Sequence, residues 1–194
     1  MENRIINPLH LTSLTILSPT NSPLYVHSFT GSEDELRHYH LSHAAVDVIE
    51  ERIVMTSTPT KPAESYLGLL FCMEDMAFYG FQTITKLRMV LSIALVDAMI
   101  KDSDIVAIFR SIHNLLLKTI TNPFLSLSNS FQAIPENLKN IEIENKNENK
   151  ISNKSIISNS KMFSFGPEDI KIEWLKNSLN FNKSINKIGE MLNG

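Results

Sequence analysis

The residues best suited to chemistry are three histidines and several carboxylates in one short stretch, SEDELRHYHLSHAAVDVIEER, residues 32–52. Imidazoles and carboxylates bind metal ions and transfer protons. A zinc pair on one helix face favours a spacing of four residues, but His40 and His43 are three apart, and His38 points away from His40. No cysteine or histidine cluster elsewhere complements them. The spacing therefore favours structure over metal binding, with His43 packed and hydrogen-bonded, and with His38 and His40 on the rim of the helix.

The other nucleophiles and acids also lack a catalytic arrangement. Glu50 and Glu51 are adjacent, so their side chains diverge by about 100° on a helix and cannot flank one bond. Glu74-Asp75 is typical of a tight turn. The only cysteine, Cys72, lies in an apolar run, where we expect it to be buried and inert. The sequence contains no phosphate-binding loop and no activated-serine motif, so we expect no cofactor, and an enzyme with an unrecognised site is the least favoured interpretation.

Composition indicates one globular domain. The chain has 194 residues, of which 43% are hydrophobic, and a net charge of −3, so no basic field attracts nucleic acid. A single cysteine cannot form an internal disulfide. The N-terminal segment is a poor signal peptide, and the longest apolar stretch, residues 89–100, is too short to span a bilayer. We therefore expect a cytoplasmic protein with no membrane insertion.

Alternating and branched residues predict five strands, and apolar spacings of three and four predict three helices. The strands are expected at residues 11–17, 24–29, 65–72, 76–84 and 86–95, and the helices at 33–56, 101–122 and 173–193. Strands grouped in two and three around a long helix predict an α+β fold with a mostly antiparallel sheet and helices on both faces.

The first predicted helix is apolar on more than one side. We expect one stripe to cover the sheet, formed by Leu36, Tyr39, His43, Val46, Ile49 and Ile53. A smaller flank consists of Leu41, Ala45 and Val48, beside the charges of Asp47 and Glu51. This flank either docks a partner or is covered by a loop or the tail, and the sequence leaves both readings open.

Composition changes after the second helix. Residues 136–161 are rich in Asn, Lys, Glu and Ser and contain no aromatic residue, so they bury too little apolar area to offset the entropy of ordering. The predicted organisation is a domain over residues 1–127, a flexible insert over 128–172, and a helix over 173–194 that completes the domain.

Several motifs resemble, in order, those of the sedlin-like subunits of the TRAPP vesicle-tethering complex. The similarity covers about residues 14–127, and several matches at consistent spacing make it specific. The matching residues are Pro23-Leu24-Tyr25, His43 with Asp47-Val48-Ile49-Glu50-Glu51, Tyr66–Leu70, Glu74-Asp75, Tyr79-Gly80-Phe81, Phe109-Arg110 with His113-Asn114, and Asn122-Pro123-Phe124.

The resemblance implies a longin, or SNARE-like, fold with a five-stranded antiparallel sheet between one helix and two helices. It implies a non-catalytic subunit that contacts other TRAPP subunits, and Rab GTPases only indirectly, in traffic to and through the Golgi. It implies a location at the periphery of ER and Golgi membranes. Asp47 falls on the family's acidic helix position, so we expect it to face a partner, together with Leu41, Ala45, Val48 and Glu51. The alternative is sedlin itself, or another longin-domain regulator of SNAREs or vesicle coats.

Overall fold

The computed structural model describes residues 9–57, 64–95, 100–122 and 167–193. The strands are β1 (Leu11–Leu17), β2 (Pro23–Ser28), β3 (Tyr66–Met73), β4 (Met76–Gln82) and β5 (Arg88–Ala94). The helices are α1 (Glu35–Thr56), α2 (Asp102–Ile120), α3 (Ile172–Lys176) and α4 (Leu179–Asn193).

The five strands form one antiparallel sheet in the order β2-β1-β5-β4-β3. Helix α1 packs on one face, and α2, α3 and α4 pack on the other. Hairpins join β1 to β2 and β3 to β4 to β5, and α1 carries the chain across the sheet from one group to the other. The predicted α+β fold, a five-stranded antiparallel sheet with one helix on one face and further helices on the other, is confirmed, although the second face carries three helices where two were expected.

The larger core lies between the sheet and α2, α3 and α4. Alternate residues of β1, β4 and β5 point into it, as the period of two in a strand requires. Aromatic rings fill its centre: Phe81 stacks on Phe109 at 5.3 Å, and Tyr25 meets Phe181 edge-on at 5.0 Å. Each large buried side chain contributes about 1.5–3 kcal/mol relative to exposure, so this core holds α2 and α4 in place.

The C-terminal helix differs from its prediction. A single helix over 173–193 was expected, but the chain breaks at Asn177-Ser178 into α3 and α4. The break lets Leu175 and Phe181 both reach the core, because each short helix turns its own apolar side to the sheet. Of the predicted insert 128–172, only residues 167–172 are described, including a 3-10 turn at Pro167–Asp169. The rest of the insert lies outside the described residues, whereas the second helix, expected over 101–122, ends within them at Ile120.

The end of α4 completes the edge of β1. The side-chain amide of Asn193 donates to the carbonyl oxygen of Leu11 at 3.3 Å, and its oxygen accepts from the Leu11 N–H at 2.7 Å. Strand β2 ends before it can pair with Leu11, since the backbone bond from Phe29 reaches Thr12. The Asn193 side chain thus makes the two hydrogen bonds that a neighbouring strand would make with Leu11, and these bonds link the C-terminal helix to the N-terminal strand.

Gly189 allows α4 to approach Phe29 closely. A Cβ at Gly189 would lie 2.4 Å from Phe29 Cδ1 and 2.5 Å from Cε1, well inside van der Waals contact.

We predict that Gly189→Val lowers the free energy of unfolding by about 1–3 kcal/mol, the usual cost of overpacking, measured by urea denaturation. The matched control is Lys187→Val, at an exposed position of the same helix. In a Phe29→Ala background the cost of Gly189→Val should shrink, and an equal cost in both backgrounds would exclude this contact as its cause.

Candidate functional site

Small residues hold α1 close to the sheet. Ser42 and Ala45 are fully buried at the centre of its inner side, and Ile49 follows one turn later. Ser42 Oγ lies 2.9 Å from Thr15 Oγ1 of β1, within hydrogen-bonding distance. Ala45 and Ile49 pack in the apolar cluster formed with Leu67, Leu70, Met76, Phe78 and Val90. These contacts fix the rotation of the helix about its axis.

The predicted sheet-facing stripe is therefore wrong in part. Val46 and Ile49 are buried, but Leu36 is 67% exposed and His43 is exposed. Ala45, expected on the partner side, has 0% exposure and offers no surface to another protein. The prediction failed because the inner side of α1 is partly polar. Ser42 and His38 are buried there, although residues of these types are more often exposed to solvent.

A second group of buried hydroxyl groups lies on the strands β1 and β5. Ser92 Oγ lies 2.6 Å from both Thr12 Oγ1 and Ser13 Oγ, and all three residues are buried on β5 and β1. Buried hydroxyl groups are costly unless they find partners, and here they satisfy one another. The face of the sheet under α1 is thus partly polar, whereas the opposite face is apolar.

Polar contacts at both ends of α1 reinforce its placement. Near its start, Arg37 forms an ion pair with Glu74, with Nε donating at 2.7 Å. Toward its end, Arg88 donates to Glu50 at 3.0 Å, and hydrogen bonds from Arg88 and then Asn21 lower the pKa of Glu50. Exposed ion pairs add little stability, so their main effect is to orient the side chains.

The outer side of α1 combines acids with exposed apolar side chains. Leu36 near the start is 67% exposed, and Val54 and Met55 near the end are both 73% exposed. Asp47 and Glu51 lie between them, exposed, at positions that share one helix face with Leu36 and Val54. We call Leu36, Asp47, Glu51, Val54 and Met55 the outer face of α1.

Leu41 and Val48 lie on the boundary between α1 and β3. Both are half-buried and pack against the apolar cluster under α1, as does Phe71, which stacks on Phe78 at 4.7 Å. Farther along β3, Met73 is 48% exposed and pairs with Met76, a member of the apolar cluster under α1. The apolar surface therefore continues from α1 onto the edge of the sheet. Cys72, expected to be buried, is exposed on this strand.

The histidines do not converge on a site. His38, expected on the rim, is buried, and its Nδ1 has no hydrogen-bond partner among the described residues, while Nε2 lies 3.4 Å from Thr30 Oγ1. His40 is exposed, as expected for the rim. Within the described ranges, no group of three or more His, Cys, Asp or Glu is placed to hold a metal ion.

Burial sets the charge state of His38. It lowers the pKa of His38 below the usual 6.5; the charge of Arg37 acts in the same direction, and Asp34 and Glu74 oppose both. Burial likewise lowers the pKa of His27 and of His113. All three imidazoles therefore favour the neutral form in the folded protein.

The helices of the described part of the chain are each too short or too polar to cross a lipid bilayer.

A family model described as Sedlin matches residues 16–147, which is most of the chain. The chain therefore belongs to the sedlin family, a class defined here by the five-stranded sheet and its long covering helix α1. The chain is 31% identical over 121 residues to the rat (Rattus norvegicus) trafficking protein particle complex subunit 2-like protein, covering 62% of this chain and 86% of the rat protein.

Relatives of the same name occur in more distant organisms. The protein of that name from Xenopus tropicalis is 31% identical over 121 residues, covering 62% of this chain and 86% of the frog protein. The one from Dictyostelium discoideum is 32% identical over 117 residues, covering 59% of this chain and 81% of its own length. Similarity to both an animal and an amoeba agrees with the motifs that carried the family resemblance.

We predict that the protein loses stability in mild acid. A histidine whose pKa is lowered on folding binds fewer protons when folded, so its contribution is complete above about pH 6.5 and is lost as the pH falls below that value. The free energy of unfolding, measured by urea denaturation between pH 7.5 and 5, should decrease toward pH 5. His38→Gln should flatten this dependence, whereas His40→Gln, at an exposed position on the same helix, should retain it. Equal pH dependence in the parent protein and His38→Gln would contradict the role given to burial.

Proposed function

We propose that this chain is a non-catalytic subunit of the TRAPP complex and that it docks through the outer face of α1. The names of its relatives support membership of that complex. The single observation that carries the docking surface is the exposure of Leu36, Val54 and Met55 around Asp47 and Glu51 on one helix face. Exposed apolar side chains around fixed charges are typical of a protein contact.

The size of the surface extends the proposal to β3. A helix of 22 residues is about 33 Å long and about 10 Å wide, so one side presents a few hundred Å². A stable interface buries about 800 Å² on each partner. The contact therefore has to include Leu41 and Val48 at the boundary, and Met73 on the neighbouring strand. Of the five partner-facing residues expected from the sequence, Leu41, Asp47, Val48 and Glu51 remain in the proposed surface, and Ala45 does not.

The charges of this surface specify its partner. Asp47 and Glu51 are one helical turn apart and enter no ion pair within the described residues, so their repulsion is relieved when a cation lies between them. The partner surface should therefore present a basic side chain at its centre and apolar side chains at its ends.

The wider role follows from the same assignment. We infer that the chain supports assembly of TRAPP, that it acts on Rab GTPases only through the complex, and that it contributes to ER-to-Golgi and Golgi traffic. In this role it is cytoplasmic and peripheral to ER and Golgi membranes, and it binds neither cofactor nor nucleic acid. Fluorescence microscopy of the tagged chain, with and without the outer-face substitutions below, tests whether its location depends on the complex.

We predict that Asp47→Tyr impairs assembly without unfolding the protein. The change removes a charge and adds bulk at the centre of the outer face, which should lower recovery of TRAPP subunits in affinity purification about tenfold, a loss of about 1.4 kcal/mol. Because Asp47 is exposed and forms no side-chain hydrogen bond or ion pair with the residues that the structure describes, the free energy of unfolding should change by less than about 0.5 kcal/mol.

The control for this experiment is Glu190→Tyr. It makes the same kind of change at an exposed acid of α4, on the opposite side of the sheet. Recovery of TRAPP subunits should remain at the parent level with Glu190→Tyr. Equal recovery with Asp47→Tyr and the parent protein would contradict docking through α1.

A further inference from the structure

The two edges of the sheet differ in their protection. Strand β3 has register shifts between Tyr66 and Gly68 and again between Leu69 and Phe71. Arg52 Nη1 also donates to the carbonyl oxygen of Leu67 at 2.7 Å. Bulges and a charged side chain over the edge are the means by which natural sheets prevent the addition of a further strand. The β3 edge is therefore blocked.

The β2 edge is regular. Residues Tyr25–Ser28 pair with Ile16–Ser13 without interruption, and the only register shift lies beyond them, between Ile16 and Leu17. Strand β2 ends the sheet, and within the described residues the backbone of Tyr25–Ser28 is hydrogen-bonded to β1 alone. In an antiparallel pair, alternate N–H and C=O groups point away from the partner strand. A row of unpaired backbone groups thus faces outward.

An open groove runs along this edge. It has a volume of about 440 Å³ and is lined by residues 23–27 of β2, by Glu35 of α1, and by Ile172 and Lys176 of α3. The Tyr25 hydroxyl donates to Asn182 Oδ1 at 2.8 Å, which fixes the strand against α4. The groove therefore has a firm backbone floor and one helical wall from each face of the sheet.

The two walls differ in charge and polarity. Glu35 places a carboxylate on the α1 side. On the α3 side, Ile172 is 46% exposed and Lys176 is exposed beside it. A strand laid along β2 would turn successive side chains to opposite faces, so one set would meet Glu35 and the other set would meet Ile172 and Lys176.

We propose that the groove along β2 binds an extended segment of a partner protein, which adds a sixth strand to the sheet. The unpaired backbone groups select an extended chain, because the backbone of a helix is already hydrogen-bonded within itself. The walls select its sequence: basic residues at alternate positions face Glu35, and apolar residues between them face Ile172, with an acid accepted near Lys176. This surface is separate from the outer face of α1, so one chain can hold two partners at once.

The test uses a synthetic eight-residue peptide in which lysine and valine alternate, capped at both ends. Its binding to the full ¹⁵N-labelled chain is followed by NMR titration of the backbone amides. The amides of residues 24–28 should shift on titration. A second peptide with the same composition, four lysines followed by four valines, cannot present lysine to one wall only and should bind at least tenfold more weakly. Shifts confined to β3, or equal binding of the two peptides, would overturn the proposal.

Variants of the wall separate this groove from other binding modes. Glu35→Lys should weaken binding of the alternating lysine peptide at least tenfold and should make the chain prefer the peptide with glutamate in place of lysine. Glu33→Lys makes the same charge change at an exposed residue that does not line the groove, and it should bind as the parent does. Asp47→Tyr should also leave peptide binding unchanged, which keeps this test independent of docking through α1. If Glu35→Lys retains the parent affinity, binding is not directed by the groove wall and the proposal fails.

Discussion

The close approach of α1 to the sheet is the contact on which the candidate interface depends. It requires small side chains at the centre of the inner side, and Ser42 and Ala45 supply them. The hydroxyl pair between Ser42 and Thr15 then fixes the helix at one rotation and one height above β1. Because a helix has 3.6 residues per turn, this single rotation decides that Asp47 and Val54 point outward. A larger residue at Ala45 would lift the helix and alter the outer face along its whole length.

The two faces of the sheet differ in the residues packed on them and in their structural role. The face under α2, α3 and α4 is packed with aromatic and branched side chains, and it supplies most of the apolar burial. The face under α1 combines a smaller apolar cluster with the hydroxyl groups of Ser13, Thr15 and Ser92. Hydroxyl groups that satisfy one another add modest stability but accept only one arrangement. The first face therefore stabilises the domain, and the second orients the helix that we propose meets other proteins.

The fold was accessible from the sequence, because strands such as residues 11–17 and 89–94 carry branched residues and short turns separate them. The rotation of α1 about its axis could not be predicted from the sequence. Counting apolar residues at helical spacing placed Leu36 and His43 on the sheet, whereas the buried positions include His38 and Ser42. Burial of a polar residue depends on a partner from a distant strand, such as Thr15, and no local pattern encodes that partner. The prediction that Cys72 is buried was wrong for a related reason. Cys72 lies on the edge strand β3, and an apolar edge strand has the same composition as a central strand.

The break between α3 and α4 also escaped the sequence, because the apolar spacing continues through Asn177-Ser178. The resemblance to the sedlin family, in contrast, led us to expect Asp47 at a partner surface, which stays a prediction. Asp47 and Glu51 are exposed as expected, whereas Ala45 is buried by the tertiary contact that sets the helix rotation. Family motifs thus pointed to α1 as the helix that we propose docks a partner, and packing decides which of its residues are exposed.

Thiol footprinting of α1 tests the central claim most directly. In a Cys72→Ser background, single cysteines are placed at Asp47 and Val54 on the outer face, and at Lys187 on α4. Their modification rates are then compared in the isolated chain and in the purified TRAPP complex. Docking through α1 predicts that the cysteines at positions 47 and 54 react quickly in the isolated chain and at least tenfold more slowly in the complex, while position 187 reacts equally in both. Unchanged rates at positions 47 and 54 on assembly would contradict the account.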